Sequence, residues 1–450
     1  MNSHQKRKRL YVNIGIIVFL IIGTLIAIQF AKGYRPNVQE RSLQGTGLLN
    51  LTSYPESARV IINDKLTTVT DDKLYLSPGK YKVSIEKDGF HTWTKSLDIK
   101  AELVTNTDAR LIPIITATSP LTFYQVNNVS LNPDGTKIAY TLNNSPQSIS
   151  NGLYIHSLTN NLLGSSTLQI AENQPTRDYS DSLLIWSPDS SQILAIFTED
   201  IITKPKTKNE KPTTTQKITS AYLLSTKDKN TGVLSDITIK LPQIISEWEN
   251  QIIQINNSTL SLIPDFLKQI ITTQATNVYF SPDKEKLTYS PLQDITLPEN
   301  KIGTLLPNIN STPDTRNLQK NKTYIFDLKE GTNYEVPMAT SSNNEIQKMI
   351  LTTPSASESS TISSLKQIKA QTESNYTTNV NWYSNSRQVI VNTENGINIV
   401  DYDGQNFINI SPNSPRNNFA IASTDGTKLI ALTNLYQKPD IYNLISFDLK

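Results

Sequence analysis

A four-residue phrase close to Ser-Pro-Asp-Gly recurs five times along the last three quarters of this 450-residue chain. It reads Asn132-Pro133-Asp134-Gly135, Ser187-Pro188-Asp189-Ser190, Ser281-Pro282-Asp283-Lys284, Tyr383-Ser384-Asn385-Ser386 and Ser423-Thr424-Asp425-Gly426. Each phrase suits a tight turn. Proline presets φ at the second position, Asp caps the turn through its side chain, and Gly takes the left-handed corner. A short apolar strand precedes each turn, marked by Val129, Trp186, Phe280, Trp382 and Ile421. A second follows: Ile138–Leu142, Ile193–Phe197, Leu287–Tyr289, Val389–Val391 and Leu429–Leu432. One hairpin repeated five times demands a repeat fold.

Each repeat extends beyond its hairpin. A third strand is predicted at Leu153–Leu158, Ala221–Ser225, Thr323–Leu328, Ile397–Tyr402 and Leu444–Leu449. A fourth is predicted at Leu168–Ala171, Val233–Leu241 and Phe407–Ile410. Four antiparallel strands in about 40–45 residues make one blade of a β-propeller. Four segments interrupt the regular spacing, at 203–218, 242–275, 291–321 and 337–378, and without them the region 113–450 holds 43 residues per blade for five blades. A sixth, degenerate blade within 337–378 is the alternative. The last repeat ends after its third strand, so Leu121–Val126 is expected to complete it and cover an otherwise open edge. The turn residues Pro133, Asp134, Pro188, Asp189, Pro282, Asp283, Asn385 and Asp425 are read as structural, with no catalytic or metal role.

Composition sets further bounds. Lys6-Arg7-Lys8-Arg9 precedes an uncharged run, Leu10 to Ala31, of 22 residues. About 20 apolar residues suffice to cross a bilayer as a helix. The run is longer than the 7–15-residue apolar region of a cleaved signal peptide, so an uncleaved anchor is expected. The basic tetrad places residues 1–9 in the cytoplasm and the bulk of the chain outside it. From Lys32 onward 38 basic residues face 40 acidic ones, a balance that argues against a nucleic-acid partner. Cysteine is absent, which excludes disulfides, thiolate metal sites and a cysteine nucleophile.

After a short polar linker (32–46), residues 47–112 alternate apolar and polar side chains between tight turns. Val60 and Ile62, Leu74 and Leu76, and Tyr81, Val83 and Ile85 all fit period two. Turns are expected at Asn63-Asp64, Ser77-Pro78-Gly79 and Asp88-Gly89. The run Ser53-Tyr54-Pro55-Glu56-Ser57-Ala58-Arg59-Val60, then Leu76-Ser77-Pro78-Gly79-Lys80-Tyr81, Lys87-Asp88-Gly89-Phe90 and Trp93 resembles a PEGA domain, a small β-sandwich of bacterial surface proteins. Ser57 stands where that family has its naming glycine. The Ser-Pro-Asp-Gly region, 113–450, resembles the WD40-like repeats of TolB-type propellers. Together these resemblances imply an all-β, membrane-anchored bacterial surface protein with partly helical insertions in its propeller.

Propeller geometry sends loops between strands two and three, and connections to the next blade, to one face of the disc. All four insertions are therefore expected on that face, opposite the turns. Helices are predicted around Ile244–Ile255, from Pro264-Asp265 to Ile271, and at 360–372, with the remaining insertions mobile loops. Chemistry is sparse. His4, His91 and His156 show no metal-ligand spacing, and neither a G-x-S-x-G elbow nor a phosphate-binding glycine loop occurs. Lys204, Lys206, Lys208, Lys211 and Lys217 suit a solvated loop or contact with anionic wall polymer. No cofactor is called for. The expected role is a non-enzymatic envelope platform binding an unidentified envelope protein or cell-wall glycan. The alternatives are a glycan-processing hydrolase and an accessory subunit of an envelope complex.

Overall fold

The computed structural model describes all residues except 1–2, 32, 38–41, 147–148, 160–165, 204–212, 299–309, 341–360, 374–378 and 435–440. The chain forms two compact units, Met1–Ile115 with Pro307–Pro313, and Thr116–Leu306 with Asp314–Lys450.

The first unit begins with helix α1, Ser3–Ala31. Its uncharged part, Tyr11–Ala31, is long and apolar enough to cross a membrane and buries none of its residues. Gly33, at φ +90°, closes the helix with its N–H on Phe30 O at 3.1 Å, a conformation open to glycine at no steric cost. The described residues of the expected linker include a strand pair. Tyr34–Asn37 pairs antiparallel with Ser42–Gly45. Thr46 N–H donates to Gly33 O at 3.1 Å, tying the two ends of the segment together.

Residues 47–110 make a sandwich. One sheet orders Val104–Asn106, Gly47–Leu51 and Asp72–Leu76, prolonged by the pair Ser53–Tyr54 and Ala109–Arg110. The other orders Lys65–Val69, Arg59–Ile62, Gly79–Glu86 and Trp93–Ile99. Alternate residues turn inward, and Leu49, Leu51, Val60, Val83, Ile85, Trp93, Leu97 and Ile99 form the core. Asn63 and Asp64 both have positive φ, as a two-residue hairpin turn requires. Ser57 sits at φ +58°, which explains why glycine suits that place. Asn310, in the segment Pro307–Pro313, bridges Leu97 at the free edge of the second sheet, and Ser311 Oγ donates to Ser96 O.

Among the described residues, the second unit holds five antiparallel blades. Blade one is Asn127–Leu131, Lys137–Leu142, Gly152–Ser157 and Thr167–Glu172. Blade two is Leu183–Trp186, Gln192–Thr203 and Thr213–Ser225. Blade three is Ala275–Phe280, Lys286–Pro291, Lys322–Asp327 and Thr332–Thr340. Blade four is Val380–Trp382, Gln388–Thr393, Gly396–Asp401 and Ile408–Ser411. Blade five is Ala420–Ala422, Lys428–Thr433 and Asn443–Asp448, completed by Thr118–Pro120 from the start of the region. Closure thus occurs a few residues before the expected Leu121–Val126. Ser119 faces Ser446, while Leu121 and Val126 only follow the same edge, with N–H bonds to Leu444 O and Tyr442 O.

Blade two departs most from expectation. The strand expected at Val233–Leu241 is absent, and a turn of 3-10 helix, Thr238–Lys240, leads instead into helix α2, Leu241–Leu260. Side chains take over the edge. Ala221 N–H donates to Asp236 Oδ1, and Ser225 N–H donates to Asn230 Oδ1. The described residues of the expected loop 203–218, Thr203 and 213–218, are strand, since Gln192–Thr203 and Thr213–Ser225 pair as far as Thr203 opposite Thr213. Threonine and isoleucine, stiff at χ1, favour that extended ribbon. Of the lysines placed there, only Lys217 lies among the described residues, 3.7 Å from Glu199.

The other helices are α3, Asp265–Thr273, which begins after Pro264 as expected, and α4, Thr361–Thr372. In the described part of 337–378, α4 stands where a sixth blade was the alternative. These helices form a layer between blades two and three. Leu241, Ile245, Trp248 and Ile252 of α2 pack with Leu365 and Ile368 of α4 on Ile185, Leu194, Ile196 and Ala221 of blade two. At its far end Leu260, with Leu267, Ile270 and Ile271 of α3, packs on Leu287, Tyr289, Tyr324 and Phe326 of blade three. An apolar blade face must be buried, and here helices bury it where a neighbouring blade otherwise does. The insertion 291–321 contributes to the same core through Ile295, Leu297 and Leu318, with Ile295–Thr296 paired to Asn317–Leu318.

Candidate functional site

The most repeated polar element is the turn. In blade two, Ser187 Oγ donates to Asp189 Oδ1 at 2.6 Å, and that carboxylate accepts the N–H of Ser191 at 3.1 Å. Blade three repeats this with Ser281, Asp283 and Glu285 N–H, and blade five with Ser423, Asp425 and Thr427 N–H. In blade one Asp134 accepts from Asn132 Nδ2 and Thr136 N–H, and in blade four Asn385 accepts from Arg387 N–H. Pro133, Pro188 and Pro282 occupy the second position of their turns. Every one of these side chains is engaged within its own turn. Burial alone would raise Asp189 and Asp283, but the bonds from Ser187 and Ser191, and from Ser281 and Glu285, outweigh it and hold both carboxyls below the ordinary range.

The structure brings together residues that turn spacing did not single out. The residue three places after each turn Asp or Asn stands opposite the end of the third strand: Lys286 faces Asp327, Gln388 faces Asp401, and Lys428 faces Asp448. Lys286 Nζ lies 3.6 Å from Asp327 Oδ2, with side-chain exposures of 2% and 5%. The pair is shielded further by Tyr402, whose ring centroid is 4.9 Å from the ammonium. Asp327 Oδ1 also accepts the N–H groups of Lys329 and Glu330, both at 2.9 Å. The Tyr402 hydroxyl is held far above its usual range by burial and by nearby Glu330 and Asp327. These contacts lock blade three to blade four and leave the charge no path to solvent.

A second unread signal is Asn-Val with the Asn six residues before the turn Asp or Asn, at Asn128-Val129, Asn277-Val278 and Asn379-Val380. Asn128 and Asn277 adopt φ +44° and +53°, each at a register shift in the first strand. Asn tolerates that conformation better than most residues. Asn128 Nδ2 reaches the carbonyls of Tyr179, Ser180 and Ser182, fixing the connection into blade two.

The helical layer offers the most specialised surface. Leu365 and Ile368 are fully buried, each worth about 1.5–3 kcal/mol of apolar burial. Lys369 Nζ donates to Leu184 O at 2.7 Å and to Glu373 Oε1 at 2.8 Å. Burial raises the Glu373 carboxyl, and Lys369 opposes that shift. A 12-residue helix is marginal alone in water, so α4 depends on blade two for its structure.

Among the described residues no group of three or more His, Asp or Glu is arranged to hold a metal ion. Asp178 caps the 3-10 turn Tyr179–Asp181 by accepting from Ser180 N–H, and His156 Nδ1 bonds Thr167 Oγ1, so neither stands in a reactive cluster.

Residues 46–114 match the PEGA domain family model. No curated protein matches the chain. Among solved structures, the TolB-assigned protein of Agrobacterium tumefaciens shares 13% identity over 71% of this chain and 73% of its own, at a TM-score of 0.20. TolB from Acinetobacter baumannii shares 10% over 82% and 59%, at 0.22. An acylaminoacyl peptidase from Pyrococcus horikoshii shares 9% over 89% and 44%, at 0.16. Scores this low carry no argument, and the propeller rests on its own sheets and registers. The chain carries a PEGA domain at residues 46–114, preceded by an apolar helix that fits a membrane anchor and followed by a β-propeller of Ser-Pro-Asp-Gly repeats.

Proposed function

We propose that this is a non-enzymatic, single-pass protein of the cell envelope, with residues 1–9 cytoplasmic and the bulk of the chain outside. Its PEGA domain and propeller serve as a platform for an envelope protein or a cell-wall glycan. One observation carries the reading: a membrane-length helix continues through Gly33 and a short hairpin into the PEGA sandwich. The near-neutral region from Lys32 onward disfavours nucleic acid as partner. The turn carboxylates are engaged in their turns, which supports a structural role for Asp134, Asp189, Asp283 and Asp425. The test uses full-length protein in detergent, exposed to envelope extracts and to purified wall glycan. Specific retention of a protein or of glycan is expected. Measurable hydrolysis of the glycan by pure protein would replace this reading with the hydrolase.

A further inference from the structure

Among the described residues, every blade but the second closes with a fourth strand. The third strand of blade two, Thr213–Ser225, is therefore an edge, and every other residue along it turns its backbone groups outward. Ala221, Leu223 and Ser225 are those residues, and side chains meet the outer two. Ala221 N–H donates to Asp236 Oδ1 at 3.3 Å. Ser225 N–H donates to Asn230 Oδ1, and Asn230 Nδ2 donates to Ser225 O, both at 2.9 Å. Among the described residues Leu223, between them, finds no partner on that edge.

The chain that follows is already aligned to pair with this edge. Ile237 N–H donates to Ala221 O at 2.9 Å, one of the two bonds of an antiparallel pair. Continued along the strand, that register sets Ser235 opposite Leu223 and Val233 opposite Ser225. The neighbouring side chains obey it. Ile237 packs with Ala221 and Leu223 in the core beneath α2, while Leu234 packs with Leu224 in the core shared with blade one. Period two demands that split of a fourth strand. Val233 alone of these apolar residues is fully exposed. We infer that residues 233–237 are a latch, a fourth strand that zips onto Leu223 and Ser225 and reopens. Asp236 and Asn230 hold it open by occupying the N–H groups of Ala221 and Ser225. Closing exchanges those side-chain bonds for backbone bonds, lays Val233 on the blade and removes the open edge. The two states differ by a few contacts of similar kind, which suits a reversible device. This inference does not depend on the envelope reading, since it concerns one strand edge whatever the chain's location.

The chain has no cysteine, so an introduced pair reports on this segment alone. Full-length protein in detergent carrying Ser225→Cys with Val233→Cys is oxidised by copper phenanthroline, and the loss of free thiols is followed. Opposed residues of a bonded antiparallel pair lie about 5.5 Å apart between Cα atoms, within disulfide reach. The disulfide is expected to form at least tenfold faster than in Ser225→Cys with Ser235→Cys, which the register holds apart. Equal rates in both proteins, or no disulfide in the first, overturns the latch. Adding Asp236→Val to the first pair frees Ala221 N–H and should raise the rate severalfold. An unchanged rate overturns the part given to Asp236. Should the cysteine variants fail to fold, hydrogen exchange of wild type decides. Amides of Val233 and Ser235 exchanging about tenfold more slowly than that of Leu234, which faces away from the edge, support the latch, and uniform exchange overturns it.

Discussion

The backbone N–H of Asp134 donates to Ser190 Oγ at 3.3 Å, and that of Asp283 donates to Ser386 Oγ at 3.0 Å. Both serines occupy the left-handed corner that glycine fills in the first and fifth turns, at φ +62° and +58°. In each case the serine hydroxyl joins neighbouring blades. A second bond repeats beside the first, since Trp186 Nε1 donates to Ser130 Oγ and Trp382 Nε1 to Tyr279 O. Blades one and two, and blades three and four, are therefore coupled by the same pair of contacts.

Ser190→Ala loses the hydroxyl and keeps the strained φ, so it should cost about 1–2 kcal/mol. Ser190→Gly relieves the backbone and should recover part of that loss. Thermal melts should place alanine lowest, glycine between, and wild type highest. An alanine variant as stable as wild type would remove this contact from the account.

Breaking the Lys286–Asp327 pair strands a buried ammonium. Asp327→Ala should cost about 3–5 kcal/mol. Lys286→Met should cost less, because Asp327 keeps two backbone donors and methionine fills similar space. The double variant should be less damaged than the sum of the singles, and urea unfolding of all four proteins measures the coupling.

Acid should weaken the propeller through its turns. Asp189 and Asp283 titrate below the ordinary aspartate range, so the folded state binds their protons less readily than the unfolded chain. Their contribution is present above the unfolded pKa, near 4, and disappears as pH falls through the lower folded value. Asn385 shows that an amide also satisfies the turn N–H. Asp189→Asn should therefore fold with a small loss at pH 7, and its stability should fall less steeply than wild type as pH drops below about 4.

Removing residues 445–450 should prevent the propeller from folding. The truncation deletes Ile445, Phe447 and Leu449 from the core and leaves Thr118–Pro120 without the strand it pairs with. Soluble, protease-resistant protein after this truncation would show that closure of blade five is dispensable.

The chain contains no cysteine, so its topology can be mapped with single introduced thiols. Thr67→Cys, exposed in the PEGA sandwich, should react with an impermeant maleimide on intact cells. Ser3→Cys should react only after lysis. The reverse pattern would invert the proposed orientation.

Much of the architecture is legible in the sequence. Turn residues such as Pro188-Asp189 and the alternation of Val83 and Ile85 express local rules, since φ preferences and period-two burial act within a few residues. The uncharged run Leu10–Ala31 likewise announces a helix of membrane-spanning length by composition alone. Helix α3 was readable too, because Pro264 and the spacing of Leu267, Ile270 and Ile271 are both local.

Tertiary structure decided what covers each apolar face. Nothing near Leu365 and Ile368 indicates that they pack on Ile185 and Leu194, because that contact depends on chain return over more than 150 residues. The missing strand at Val233–Leu241 has the same origin. Its apolar residues suit a strand, but a helix starting at Leu241 can bury the face of blade two and a fourth strand cannot. Sequence determined the blades as local hairpins, while the helical layer between two of them was settled by competition among distant apolar surfaces for burial.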